Sequence, residues 1–368
     1  MQNAESSPPV EPLGSECTSN FPEILEQFNI SVLVTTYQAN MLVILRSDGS
    51  RALNTHFRAL PRPMGMAGDT QRLAVGTTKE IVYYRNMPAV APKLAPAGQY
   101  DACYLLRSAQ VTGDIDVHEM AWVGDELWFA NTAFSCLCTS NWTHSFVPRW
   151  LPPFITALTP EDRCHLNGLA VVPDALGKPE VKYVTALAAT DTHQGWRSFK
   201  KDGGILMDVP SGEILARGLC MPHSPRWHDG KLWMLESGRG ALGIVDLQRG
   251  RFETVAELPG FTRGFEIYGR YAFIGLSQVR DSAVFSGIPI AERALAERNC
   301  GVWMVDLTTG NTIAFLRFDA AVQEVFAIQV LRGIRYPEIA PDDPAYLSES
   351  YDVPSSILHL VPEPLRGR

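Results

Sequence analysis

The stretch Met221-Pro-His-Ser-Pro-Arg-Trp-His-Asp-Gly-Lys-Leu-Trp-Met-Leu-Glu236-Ser-Gly238, with Gly243-Ile-Val-Asp-Leu247 behind it, decides the fold. It reads as a polar loop carrying His223, a short strand, a tight Asp229-Gly230 turn, a second strand ending at Glu236 and then a third strand. Asp-Gly between two apolar runs is a strong hairpin signal because both residues tolerate positive φ. The unit recurs as Glu119-Met-Ala-Trp-Val-Gly-Asp-Glu-Leu-Trp-Phe-Ala-Asn-Thr132, with His118 in front of it, and as Gly264-Phe-Glu-Ile-Tyr-Gly-Arg-Tyr-Ala-Phe-Ile-Gly-Leu-Ser277.

Working outward, the first strands of such hairpins open at six places: Met64-Gly-Met-Ala, His118-Glu-Met-Ala, Asn167-Gly-Leu-Ala, His223-Ser-Pro-Arg, Arg263-Gly-Phe-Glu and Glu324-Val-Phe-Ala. They are separated by about 40 to 60 residues, the length of propeller blades with loop insertions. A four-stranded antiparallel sheet cannot bury both of its faces alone, so the repeats must stack around an axis. The expected fold is all-β, a six-bladed β-propeller. The sixth opening has a single strand behind it, Val325 to Leu331, whereas the strands Ser31–Tyr37, Met41–Leu45 and Ala52–Phe57 lack an opening. Joining these two ends of the chain in one sheet closes the ring and removes its free edges. This gives a Pro/Ser-rich, disordered or extended tail over residues 1–20, one propeller over 21–345 and a C-terminal tail over 346–368. Phe21–Phe28 reads as a short surface helix and Ile290–Glu297 as a helical insertion. Two Pro-rich stretches, Met87–Gly98 and Phe146–Phe154, read as excursions from the blades.

Composition bounds the function classes. The 368 residues are 46% hydrophobic and carry a formal net charge of −8, with no Lys/Arg-rich run to neutralise phosphates, so nucleic acid is not an expected partner. No apolar run approaches the roughly 18 residues of a membrane helix, and no signal peptide is recognisable, so no membrane partner is expected either. Seven irregularly spaced cysteines do not make a disulfide framework and suit a reducing cytoplasm.

The six opening residues point at the central channel of a propeller. Five of them, His118, Asn167, His223, Arg263 and Glu324, are polar or ionisable where the most enclosed strand is ordinarily apolar, and buried polar groups need partners. Two histidines, an amide and a carboxylate facing one axis form a candidate metal site. His165, two residues before Asn167 and on the same side of an extended segment, is a third imidazole. The metal candidates are therefore His118, His165, Asn167 and His223. Arg263 stays protonated and does not ligate metal; it suits pairing with Glu324 or holding a substrate carboxylate or phosphate. Each residue also has a plain alternative: a channel histidine hydrogen-bonded to its neighbours, an Asn capping its loop. Glu119 is expected in the packing between blades, His228 near a turn in solvent, and His193, beside Trp196 and Arg197, in a loop that could enter the pocket. Cys136 and Cys138 read as core; Cys164 and Cys220 precede channel positions, where each could be a thiol near the site or a packing residue.

His165-Leu-Asn-Gly-Leu-Ala170 resembles the Pro-Asn-Gly-Leu-Ala element of gluconolactonase and senescence-marker-type propellers. These are six-bladed enzymes in which that Asn helps bind a divalent metal, and the resemblance implies Asn167 as a ligand. The extra histidines depart from that family's carboxylate-and-amide site and look more like the propellers of the amidating-lyase and streptogramin-lyase groups, where channel histidines serve a metal or act as acid and base. Over its full length the chain is similar to a bacterial family of uncharacterised propeller-like proteins. The expectation is an enzyme with a divalent metal, zinc favoured and iron, copper, manganese or calcium as alternatives. It acts on a small molecule or peptide by ester or lactone hydrolysis or a lyase step, with Glu324 or a free histidine as base and Arg263 as anchor for an anionic group of the substrate. The alternatives are a non-catalytic ligand- or protein-binding propeller and a metal-dependent oxygenase.

Overall fold

The computed structural model describes residues 13–279, 286–340, 344–363 and 366. Six small sheets form a six-bladed β-propeller. Blade 1 is Ile30–Thr36, Met41–Ser47 and Leu53–Ala59, with Ala327–Arg332 as its innermost strand. The closure therefore pairs Ile30 with Arg332 and Thr35 with Ala327, antiparallel, as the sequence requires. Blade 2 is Met66–Gly68, Arg72–Gly76, Glu80–Asn86 and Ala102–Val111; blade 3 is Val117–Val123, Glu126–Asn131, Cys136–Thr139 and Val147–Trp150. Blade 4 is Leu166–Pro173, Pro179–Ala186, Gly204–Asp208 and Ile214–Leu219; blade 5 is Pro222–His228, Lys231–Glu236, Ala241–Asp246 and Arg251–Glu257. Blade 6 is Phe261–Tyr268, Tyr271–Ser277, Gly301–Asp306 and Thr312–Phe318.

Two strands lie outside this scheme. Ser15–Cys17, in the stretch read as a tail, adds antiparallel to the outer edge of blade 6, and Pro337–Ala340 adds parallel to the outer edge of blade 2. Each covers an exposed row of backbone donors and acceptors. Val147–Trp150, read as part of an excursion, is the outermost strand of blade 3; Pro148 is tolerated because an edge strand has one unpaired side. The helix Phe21–Phe28 forms as read, burying Phe21 and Leu25 against blades 1 and 6. The Ile290–Glu297 stretch is shorter than read, a turn of helix at Pro289–Glu292 and a 3-10 turn at Leu295–Glu297.

There is no single core but a ring of apolar layers, one between each pair of blades. Successive side chains of a strand point to opposite faces, so Leu232 and Met234 pack toward blade 4 while Trp233 and Leu235 pack toward blade 6. Likewise Val32 and Val34 pack toward blade 6 and Leu33 toward blade 2. Strands buried on both faces explain why the sequence reads as short apolar runs rather than strict alternation. Close approach near the axis also demands glycine. A Cβ on Gly65 would lie 1.6 Å from the His118 carbonyl oxygen, and one on Gly168 2.3 Å from Thr185 Oγ1 and 3.1 Å from Ser224 N.

Candidate active site at the channel mouth

The channel opens at one end into a cavity of about 350 Å³ lined by His118, His165, His223, Arg263 and Glu324. Below it the channel narrows to about 10 Å³ between Asn167, Glu119 and Phe326. At the far end it widens again to about 280 Å³ beside Arg226 and Glu266. Five of the six residues singled out in the sequence thus share one cavity, and Asn167 lies beneath it, its Oδ1 accepting a hydrogen bond from Thr185 Oγ1 (2.7 Å).

His118 and His223 are held by the same local device. His118 Nδ1 lies 3.0 Å from the Asp116 carbonyl and 2.8 Å from Thr132 Oγ1, and that hydroxyl donates to the Leu166 carbonyl (2.6 Å). A carbonyl can only accept, so Nδ1 carries the proton and Nε2 presents a lone pair. His223 Nδ1 repeats this with the Met221 carbonyl (2.9 Å) and Ser237 Oγ (3.0 Å). Both imidazoles are almost fully buried. Burial, reinforced by the nearby Arg263 guanidinium, holds both well below the ordinary histidine range, so they are neutral bases.

His165 reaches the cavity by a different backbone route from the one read. It is not on an extended segment: its φ of 52° is left-handed, as are those of Arg62, Asp116 and Met221, which precede their own channel positions by the same two residues. This turn swings His165 inward, its ring centroid 4.8 Å from that of His118 in an edge-on contact. Its Nδ1 sits 2.9 and 3.0 Å from the two Asp162 oxygens, and Trp196 Nε1 donates to the same carboxylate (2.8 Å). A carboxylate behind an imidazole fixes the ring with Nε2 forward, as behind metal-bound histidines.

Arg263 does not pair directly with Glu324. Its Nη2 donates to His118 Nε2 (2.8 Å) and its guanidinium stacks 3.6 Å from the centroid of Phe326. Its Nε is buried without an acceptor. Burial pulls its affinity for a proton down, with the charges of Glu324 and Asp116 acting in the opposite sense. Asp116, at the rim behind His118, is pushed above the usual carboxylate range by burial. As the side chains stand, no three His, Cys, Asp or Glu among the described residues are grouped to hold one metal ion.

Several lining residues escaped sequence reasoning: Tyr37, Asp116, Asp162, Trp196, Arg197 and Phe326. The two aspartates were the more legible, lying two and three residues before His118 and His165. His193 is exposed and does not line the cavity; its neighbours Trp196 and Arg197 do. Glu119 is not in the inter-blade packing: its Oε1 accepts from Arg226 Nη2 (2.6 Å) within the channel. His228 is half-buried with Nε2 3.4 Å from Asp229. Cys164 and Cys220 are buried outside the cavity lining, their thiols pushed up to about 12 chiefly by desolvation. Cys136 and Cys138 are core, their sulfurs 3.4 Å apart.

The model of a domain of unknown function, DUF4915, matches residues 19–340, which includes every blade. The chain belongs to that family. A search of curated proteins finds no similar sequence. Among solved structures, a protein of unknown function from Bacteroides caccae superposes with a TM-score of 0.50 at 10% identity, over 82% of this chain and 99% of that one. A chain of a nidogen/laminin complex gives a TM-score of 0.49 at 10% identity, over 83% of this chain and 98% of that one. At such identity the likeness to the Bacteroides caccae protein speaks to fold alone. No helix among the described residues is long and apolar enough to cross a membrane.

Proposed function

We propose that this family member is an enzyme whose active site is the histidine-lined cavity, acting on a small anionic molecule by ester or lactone hydrolysis or by a lyase step. One observation carries the reading: three imidazoles with Nδ1 tied back share a cavity with a guanidinium that makes no direct ion pair among the described residues. A buried cation without a carboxylate partner is costly, and an anionic substrate group is what offsets that cost. Arg263, turning from His118 to the substrate's carboxylate or phosphate, anchors it in a bidentate manner. Phe326, Phe261 and Trp196 wall the cavity with apolar surface that strengthens polar interactions with a bound substrate. Glu324, half-buried on the lining, takes the proton from the attacking water or from the carbon next to a leaving group.

The donor chemistry also fits a divalent metal, zinc first. His118, His165 and His223 would hold it through Nε2, each with its Nδ1 already engaged, once Arg263 leaves His118. When bound, such an ion supplies Lewis acidity at the substrate carbonyl. The resemblance to gluconolactonase-like and amidating-lyase-like propellers points the same way. Seven cysteines without a disulfide support a reducing, cytoplasmic setting.

Elemental analysis of the purified chain, thermal shifts with zinc, manganese, iron, copper and calcium, and a panel of esters, lactones and hydroxy acids test the reading together. It expects stoichiometric metal that is lost in the His118→Ala/His223→Ala double variant, together with turnover. Iron or copper with oxygen uptake would favour an oxygenase. No metal, no metal-induced shift and no turnover would leave a ligand-binding propeller.

A further inference from the structure

A second ring stands behind the first. Within one residue of the end of the second strand of every blade lies a buried hydroxyl: Thr35, Thr77, Thr132, Thr185, Ser237 and Ser277. Most of them serve the channel residues or the inner strand beside them. Thr35 Oγ1 donates to the Met64 carbonyl (2.7 Å), and Ser277 Oγ donates to the Val325 carbonyl (3.1 Å). Thr185 holds Asn167, while Thr132 and Ser237 each meet the Nδ1 of the histidine 14 residues earlier.

Resting on the proposed function above, we propose that Thr132 and Ser237 are positioning residues that, with the carbonyls of Asp116 and Met221, keep His118 and His223 in the Nδ1–H form. Both rings then present Nε2 to the cavity as an acceptor, while Asp162 orients the ring of His165 beside them. The proton of Thr132 is spent on the Leu166 carbonyl of blade 4, so its oxygen can only accept from His118. Thr132 thereby ties the plane of the His118 ring to the blade that carries His165. The Nε2 lone pairs of His118 and His223 cannot hydrogen-bond a carbonyl or carboxylate oxygen. They require an electron-pair acceptor, namely a divalent cation or an N–H or O–H donor of the substrate. Anionic oxygens are left to Arg263, so the two ends of a substrate are sorted by hydrogen-bonding sense.

Long-range ¹H–¹⁵N spectra of histidine side chains in the full-length protein test this directly. The wild type should show the Nδ1–H pattern for both His118 and His223. Thr132→Val, nearly isosteric, should bring the other tautomer or ring motion into His118 alone; Thr132→Ser should restore it; Ser237→Ala should do the same to His223 alone. Zinc affinity should fall by about tenfold or more in Thr132→Val and return in Thr132→Ser, as expected when a partner behind a ligand is lost. An Nε2–H wild-type histidine, or variants whose tautomers and zinc affinity match the wild type, would overturn the assignment. A wild type that takes no zinc counts against the metal alone, and the tautomer spectra still decide the role of the hydroxyls. Should Thr132→Val not fold, Ser237→Ala, which removes a single oxygen, provides the same reading at His223.

Discussion

At the scale of single residues, the site is set by where protons can and cannot go. His118 and His223 have folded-state affinities for protons below those of the unfolded chain, because desolvation and Arg263 oppose their charging. Between the two values the unfolded chain binds more protons, so this contribution is intact above about pH 6.5 and is lost as pH falls below it. Stability against thermal unfolding should therefore fall on acidification from pH 7 to 5, by up to about 1.4 kcal/mol per pH unit for each proton. A His118→Gln/His223→Gln variant should show a flatter profile. Asp116, whose carboxyl is pushed up by burial, acts in the opposite sense at lower pH, so the comparison with the double variant isolates the histidines. The charge of Arg263 makes a separate prediction. In Arg263→Met, an NMR titration of His118 should move toward the ordinary histidine range, and an unchanged titration would mean that desolvation alone sets it. His118 and His223 were legible as residues because they recur at one blade position. Their tautomers were not, since these depend on carbonyls and hydroxyls that the fold brings behind the rings.

Among the elements, the strand Pro337–Ala340 contributes more than an edge cover. Glu338 on it is buried and accepts hydrogen bonds from Arg46 and Arg58 of blade 1, while its backbone runs along blade 2. Arg46 is itself buried, with its guanidinium 4.2 Å from the Tyr336 ring. Removing one partner from a buried pair leaves the other uncompensated, so Glu338→Ala should destabilise by about 3 kcal/mol, read as a lower urea midpoint with little change in m. Nothing in the sequence marked this clasp, because Glu338, Arg46 and Arg58 are joined only once the ring has closed. The hairpins, by contrast, were legible: Asp229-Gly230 and the alternation around it act over a few residues, within the reach of turn chemistry. The inter-blade layers follow from the same period of two. Leu33→Ala, in the layer between blades 1 and 2, should cost about 2–5 kcal/mol, measurable by denaturant unfolding.

Over the whole molecule, stability depends on the meeting of the two chain ends. A chain ending at Phe326 would lack the innermost strand of blade 1 and expose the paired edge of Ile30–Thr36, along with Leu33 and Ile44 of the adjoining layer. Such a chain should be recovered mainly as aggregate, and what stays soluble should be cut rapidly by protease. A circular permutant that links the segment after Ala340 to the segment before Ser15 and opens at the exposed Asp229-Gly230 turn keeps the closing strand and should stay folded. If the truncated chain were as protease-resistant as the full one, closure would not be what stabilises the ring.

The blade count, the hairpins and the closing strand were legible in the sequence, because a six-fold repeat of local turn and alternation signals calls for an arrangement that buries every apolar face. The sequence also brought His118, His223, Arg263 and Glu324 to the axis, since the first position of each inner strand is fixed by that repeat. Only the tertiary structure decided how they meet. Left-handed turns bring His165 inward, Arg263 bonds His118 rather than Glu324, Asn167 lies below the cavity, and Asp116, Asp162, Thr132 and Ser237 stand behind the imidazoles. These are contacts between blades and between a strand and the loop before it. Their geometry is set by packing around the axis, which no local pattern in the chain records.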